Sequence, residues 1–145
     1  MIDATPVTEP LSKHAQVSKE LEEELLASLA LSNAQSTNAT IVLTKRDTSG
    51  KLLAGVSGST SYGWLLVKLL WVHEELRRTG IGRTLIREAE DQARAMGCHG
   101  AWLDTSSEAA RDFYVHLGYS EFGRLSNSPD HEPAQHRRWF MKKAL

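Results

Sequence analysis

The segment Trp71-Val72-His73-Glu74-Glu75-Leu76-Arg77-Arg78-Thr79-Gly80-Ile81-Gly82-Arg83-Thr84-Leu85 constrains this chain more than any other. An apolar, strand-like run from Trp64 to Val72 feeds a short basic loop with an Arg-x-x-Gly-x-Gly pattern, and an amphipathic helix follows at once. Strand, glycine loop and helix in direct succession specify a β-loop-α unit. Glycine adopts backbone conformations that a Cβ forbids and lets the main chain approach a ligand closely. The first turn of a helix carries unpaired N–H groups and partial positive charge. Together they suit a phosphate or pyrophosphate. The side chains of Arg77, Arg78 and Arg83 add charge, and Thr84 adds a hydroxyl. A tight turn without a ligand is the alternative, since Gly-x-Gly alone is a short pattern.

Two common nucleotide folds are disfavoured. A dinucleotide-binding fingerprint wants a third glycine where Leu85 stands, and an acidic residue about 20 residues further on. A P-loop wants Gly-Lys-Ser/Thr, and Gly82 is followed by Arg83.

The later part of the chain is as specific as the loop. After Gly97-Cys98-His99-Gly100 comes a short strand, Ala101-Trp102-Leu103-Asp104, then a helix from about Ser107 to Leu117, ending Phe113-Tyr114-Val115-His116-Leu117-Gly118-Tyr119. Arg77-x-x-Gly80-x-Gly82 followed by Ala110-x-x-Phe113-Tyr114-x-x-Leu117-Gly118-Tyr119 resembles the GNAT superfamily of N-acetyltransferases, in order and spacing, from about Leu43 onward. That resemblance implies an α/β (α+β) fold: a mixed, mostly antiparallel central sheet flanked by helices. It also implies transfer of acetyl from acetyl-coenzyme A to an amine, by direct attack in a ternary complex.

Length and composition agree with one domain spanning residues 1–145. A chain of 145 residues can bury a real core, and 41% hydrophobic with 24% charged residues is ordinary for a globular protein. The net charge of −1 gives no reason to expect nucleic acid or a membrane surface as partner. One cysteine, Cys98, rules out an intrachain disulfide and points to a cytoplasmic setting. The N-terminal residues lack the apolar core of a signal peptide.

Patterning gives the remaining elements. Residues 2–8 could form a weak edge strand despite Pro6 and Pro10. Ser18 before Leu21, Leu25 and Leu29 predicts an N-capped amphipathic helix with glutamates in its first turns. Ala39–Arg46 and Lys51–Ser59 are β-like and joined by the turn Asp47-Thr48-Ser49-Gly50. Trp64–Val72, the most apolar strand, belongs in mid-sheet. Ile81, Leu85, Ala89, Ala93 and Met96 form a helical stripe closed by Gly97, with Glu90 and Arg94 expected to pair on the outer face. Thr105-x-x-Glu108 has the form of a capping box, and Ala110, Phe113, Tyr114 and Leu117 share a face. Strands over Tyr119–Arg124 and about His136–Met141 complete the sheet.

The resemblance also implies roles. Backbone amides of Arg78, Thr79, Gly80, Ile81, Gly82 and Arg83 would cradle the coenzyme pyrophosphate. Main chain at Trp71 and Val72 would hold the pantetheine arm, with Ser107, Ala110 and Phe113 beside it. Tyr114 would protonate or hydrogen-bond the leaving thiolate; from the residues alone it is a core aromatic. Two positions depart from expectation: many relatives carry Asn at Ser107, and close ones tend to carry an acid at Lys68. Those departures leave a catalytically impaired, acyl-coenzyme-binding regulatory module as the second hypothesis. Trp64, Lys68, Asp104 and His136 are candidates for the acceptor pocket, with Asp104, His73 and His136 as candidate bases. The pocket is expected to draw on the first helix, the central strands and residues 126–135. The acceptor is a small-molecule or protein amine, a homodimer stays open, and no His/Cys spacing suggests a metal.

Overall fold

The computed structural model describes residues 2–32 and 36–145. The chain divides into two compact units, Met1–Gln35 and Ser36–Leu145. The first holds a 3-10 turn, Leu11–Lys13, running into helix α1, His14–Ser32. Ser18 therefore lies inside the helix and does not cap it. The turn supplies the start instead, through Lys13 N–H donating to the Pro10 carbonyl at 2.8 Å and the His14 ring bonding the Glu9 carbonyl at 2.8 Å. No strand forms over residues 2–8. Pro6 and Pro10 have no amide to give a ladder, and Asp3 instead folds back on Thr5.

The second unit contains β1 (Ala39–Arg46), β2 (Leu52–Ser61), β3 (Trp64–Val72), α2 (Ile81–Ala95), β4 (Gly100–Thr105), α3 (Glu108–His116), β5 (Ser120–Ser126) and β6 (Arg137–Ala144). The six strands form one mixed sheet in the order β1-β2-β3-β4-β6-β5. Every neighbouring pair is antiparallel except β3 and β4, which run parallel and pair only at Trp64–Gly100, Leu65–Ala101 and Leu66–Trp102. Beyond Leu66 the two strands part. The apolar strand does occupy the middle of the sheet.

A bulge in β3 lies just past that point. Ser57 of β2 faces Leu69 while the next residue, Gly58, faces Val67, so Lys68 is the extra residue. A bulge shifts the alternation of side chains by one. Before it, Leu65 and Val67 are buried against the core; after it, Leu70 and Val72 pack there, and Leu69 and Trp71 face outward. Leu66 and Leu70, which unbroken alternation puts on one face with Lys68, therefore lie on opposite faces, Leu70 toward the core.

The core joins one face of the sheet to α2 and α3. Ile41, Ala54, Val56, Leu65 and Val67 meet Leu85, Ile86, Ala89 and Ala93 of α2, and the cluster continues through Leu103, Tyr114, Leu117, Tyr119, Trp139 and Met141. The expected stripe of α2 is present, with Ile86 added. The expected Glu90–Arg94 pair is not. Arg94 bonds Asp91 at 2.7 Å, and Glu90 is 1% exposed, on the core side. Its Oε2 accepts from the Tyr119 hydroxyl at 2.9 Å and its Oε1 from Lys143 Nζ at 3.0 Å. A buried carboxylate is tolerable only with such partners.

Breaking a buried pair by removing one member strands the other charge, a loss of about 3–5 kcal/mol. Glu90→Ala should therefore lower the urea midpoint by that equivalent at unchanged slope. Glu90→Gln, which keeps an acceptor for Tyr119, should lose less.

Candidate active site

Where β3 and β4 part, a cleft of about 210 Å³ opens between them. Val67, Lys68, Leu69 and Leu70 line one wall and Leu103, Asp104 and Thr105 the other, with Ala110 and Tyr114 of α3 closing it. The cleft follows from chain geometry: adjacent parallel strands that stop pairing leave unbonded edges facing each other. Residues 126–135 contribute nothing to this lining.

The loop between β3 and α2 is built from main-chain turns. His73 opens a short 3-10 turn, Glu74–Leu76, and its Nδ1 accepts from the Glu75 amide at 3.2 Å. Arg78 and Gly80 both take positive φ, 63° and 88°, and Gly80 is the N-cap of α2. The first bonded amide of α2 is Thr84 N–H, donating to the Gly80 carbonyl at 3.0 Å. Among the described residues, the N–H groups of Ile81, Gly82 and Arg83 have no protein acceptor, as the opening of a helix requires.

The two glycines of the loop do different work. Gly80 needs its left-handed backbone, and a Cβ there would meet open space. Gly82 has helical backbone, and a Cβ there would sit 3.4 Å from Phe113 Cζ and 3.6 Å from Val72 Cγ2. A bare Cβ would make ordinary contact there, whereas a branched side chain would crowd Phe113 and the end of β3. Among the described residues Arg77, Arg78 and Arg83 form no ion pair, and all three are exposed. Arg77 Nε donates to the Val72 carbonyl at 3.2 Å, so this arginine also ties the loop to its strand. Thr84 turns its hydroxyl back onto the Gly80 carbonyl at 3.1 Å, away from the role of anion donor.

Tyr114 is 7% exposed, and its ring meets those of Phe113 at 5.1 Å and Tyr119 at 5.6 Å, both edge-on. Its hydroxyl makes no hydrogen bond among the described residues. Burial pushes the phenol up to about 12, because a phenolate loses more on leaving water than a phenol does. Tyr114 is thus a protonated donor at neutral pH. Burial, reinforced by the neighbouring Glu90 carboxylate, raises Tyr119 further still.

Ser107 caps α3, its Oγ accepting from Ala110 N–H at 3.2 Å. Thr105 is not the cap; its Oγ1 accepts from the Ser107 amide. Asp104 reaches the cleft, and its Oδ2 accepts from Arg138 Nε at 2.6 Å. His136 lies outside the lining, 3.2 Å from the Ser106 hydroxyl. Trp64 is at the other, closed end of β3, its ring over Gly100 and against His99 at 5.3 Å. Of the four acceptor-side candidates, the structure brings only Lys68 and Asp104 into the cleft. Sequence patterning missed Glu90, Tyr119 and Lys143 as a set; the available signal was an acid spaced four from Ile86 and three from Ala93, within the apolar stripe.

A family model described as the acetyltransferase (GNAT) family matches residues 8–119. The chain belongs to that family. It is 33% identical over 111 residues to an acetyltransferase of Agrobacterium fabrum, covering 77% of this chain and 81% of that one. It is 41% identical over 86 residues to the blasticidin-S acetyltransferase of Streptomyces morookaense, covering 58% and 60% respectively. A crystal structure from Agrobacterium tumefaciens, assigned as an acetyltransferase, superposes over the full length of both chains with a TM-score of 0.82 at 27% identity. GNAT enzymes use acetyl-coenzyme A. Among the described residues no cluster of His, Cys, Asp or Glu could hold a metal ion, and no helix is long and apolar enough to cross a membrane.

Proposed function

We propose that this chain is an N-acetyltransferase that moves acetyl from acetyl-coenzyme A to a primary amine by direct attack in a ternary complex. The observation that carries this is the cleft between the parted strands, with the buried Tyr114 phenol in its lining. The residues fit the coenzyme. Among the described residues the amides of Ile81, Gly82 and Arg83 lack a protein acceptor and would suit an anion. Arg77, Arg78 and Arg83, none in an ion pair among those residues, lie on the same stretch of chain, and the parted edge of β3 at Trp71 and Val72 would offer main chain to an extended arm. Ala110 and Phe113 provide apolar contact there, and Ser107 keeps its O–H to donate although its oxygen caps α3.

Bound acetyl-coenzyme A supplies a thioester, whose carbon–sulfur bond breaks as the new carbon–nitrogen bond forms. The amine attacks as the free base, and its nitrogen, cationic once bonded to the acyl carbon, gives up one proton as the amide forms. Asp104, with Oδ2 held by Arg138, has Oδ1 available to orient that amine or take the proton. Tyr114 donates a hydrogen bond to the departing sulfur. Burial holds the phenol above its ordinary value, so Tyr114 meets the departing sulfur as a protonated donor that can hydrogen-bond or protonate it. Its contribution is stabilisation of developing negative charge by a preorganised donor.

The acceptor is a small-molecule or protein amine; the antibiotic named for the Streptomyces relative favours the former class. Lys68 qualifies it further. It lines the cleft as a bulged, exposed residue without an ion pair among the described residues, while Asp104 opposite is matched by Arg138. A net cation at the acceptor side opposes polycationic substrates. The single, buried Cys98 suits a reducing, cytoplasmic setting.

Release of coenzyme A thiol over a panel of amines tests the activity; a chain that binds acetyl-coenzyme A yet acetylates no amine would be the regulatory module. Saturating acetyl-coenzyme A, at about 100 times its Kd, should stabilise the protein by roughly 2.7 kcal/mol. Gly82→Val should abolish that rise in melting temperature, because its branches crowd Phe113 or the anion position. Tyr114→Phe should keep the fold and coenzyme affinity while turnover drops by about 10²–10³-fold, the effect of one lost charge-stabilising donor. Undiminished turnover would return Tyr114 to the core. Wild type should acetylate neutral or anionic amines better than spermidine-like ones, and Lys68→Glu should reverse the ranking without changing coenzyme binding.

A further inference from the structure

We propose that Tyr119, anchored by Glu90, is a positioning residue that aims the Tyr114 hydroxyl at the leaving sulfur. The proposal rests on the assignment of Tyr114 as the sulfur's donor. Because the described residues offer the Tyr114 hydroxyl no hydrogen-bond partner, packing decides where it points. Two rings meet it edge-on, Phe113 and Tyr119. Phe113 is half-buried, beside the space left by Gly82. Tyr119 is 3% exposed and fixed from three directions. Its amide donates to the Tyr114 carbonyl at 3.0 Å, its hydroxyl donates to Glu90 Oε2 at 2.9 Å, and Lys143 Nζ lies 5.7 Å from its ring centroid.

Glu90 gives this arrangement its direction. An apolar side chain would fill the space in α2 with no desolvation cost. What the carboxylate adds is a directional bond that selects one rotation of the Tyr119 ring. The same carboxylate accepts from Lys143 Nζ on its other oxygen, so β6 and Tyr119 share one buried acceptor on α2. Helix α2 begins at the coenzyme loop, and Glu90 lies about 13 Å along it. Loop and tyrosine thus refer to a common rigid element. Edge-on aromatic pairs are specific in geometry, so a Tyr119 ring free to rotate would let the Tyr114 ring turn as well.

The test is a double-mutant cycle on turnover, using Tyr114→Phe, Tyr119→Phe and both together, with melting temperatures recorded throughout. Tyr119→Phe keeps the ring and the fold but loses the bond to Glu90. It should lower kcat about tenfold, with KM for acetyl-coenzyme A changed less than about twofold, a coupling within the usual range for contacting residues. In the Tyr114→Phe background the same change should have no further effect, because there is no hydroxyl left to aim. Glu90→Gln, retaining an acceptor for Tyr119, should keep most of the wild-type kcat. Equal loss in both backgrounds, or no loss from Tyr119→Phe alone, overturns the positioning role and leaves the network purely structural. Undiminished turnover in Tyr114→Phe overturns the underlying assignment as well.

Discussion

Parallel hydrogen bonding between β3 and β4 lasts for three residue pairs and then stops. The rest of the site is arranged around that interruption. Each strand has an antiparallel partner on its far side, β2 for β3 and β6 for β4, so both continue as strands after parting. The result is a gap with rigid walls and unbonded main chain along it. Irregular backbone could not have offered this without leaving its own polar groups unsatisfied. The helices then sit where the connections put them. The loop after β3 leads into α2, and the turn after β4 starts α3 with Tyr114 in the lining of the gap.

Much of this was legible in the residues, and for definite reasons. Apolar spacing places the core stripe of α2 correctly, since Leu85, Ala89 and Ala93 can face only one way on a helix. Glycines at 80 and 82 mark the loop, although the reason for each differs and emerges only with Phe113 and Val72 in place. What escaped was everything that depends on register. Strand alternation assumes an unbroken ladder, and the bulge at Lys68, which no sequence pattern announces, puts Leu66 and Leu70 on opposite faces. Trp64 belongs to the same strand as the cleft, yet it lies at the closed end, which no local pattern reveals. Glu90 was assigned to the surface by its charge, whereas a tyrosine and a lysine far along the chain make its burial tolerable.

The sides proposed for coenzyme and acceptor are held by different physics. The amides proposed to meet the coenzyme are main-chain groups whose positions follow from the first turn of α2, so they vary little with side-chain identity. Lys68 and Asp104, the groups proposed for the acceptor, are side chains on strand segments past the point where β3 and β4 pair. One is on a bulge and one is tied by Arg138. Substitution there changes charge and shape without disturbing the amides that would meet the pyrophosphate.

The sheet is therefore two antiparallel leaves, β1-β2-β3 and β4-β6-β5, stitched along a seam three residue pairs long. One core cluster runs across that seam, and Glu90 of α2 bonds Tyr119 and Lys143 on the far side of it. Side-chain packing, more than main-chain pairing, therefore fastens one leaf to the other.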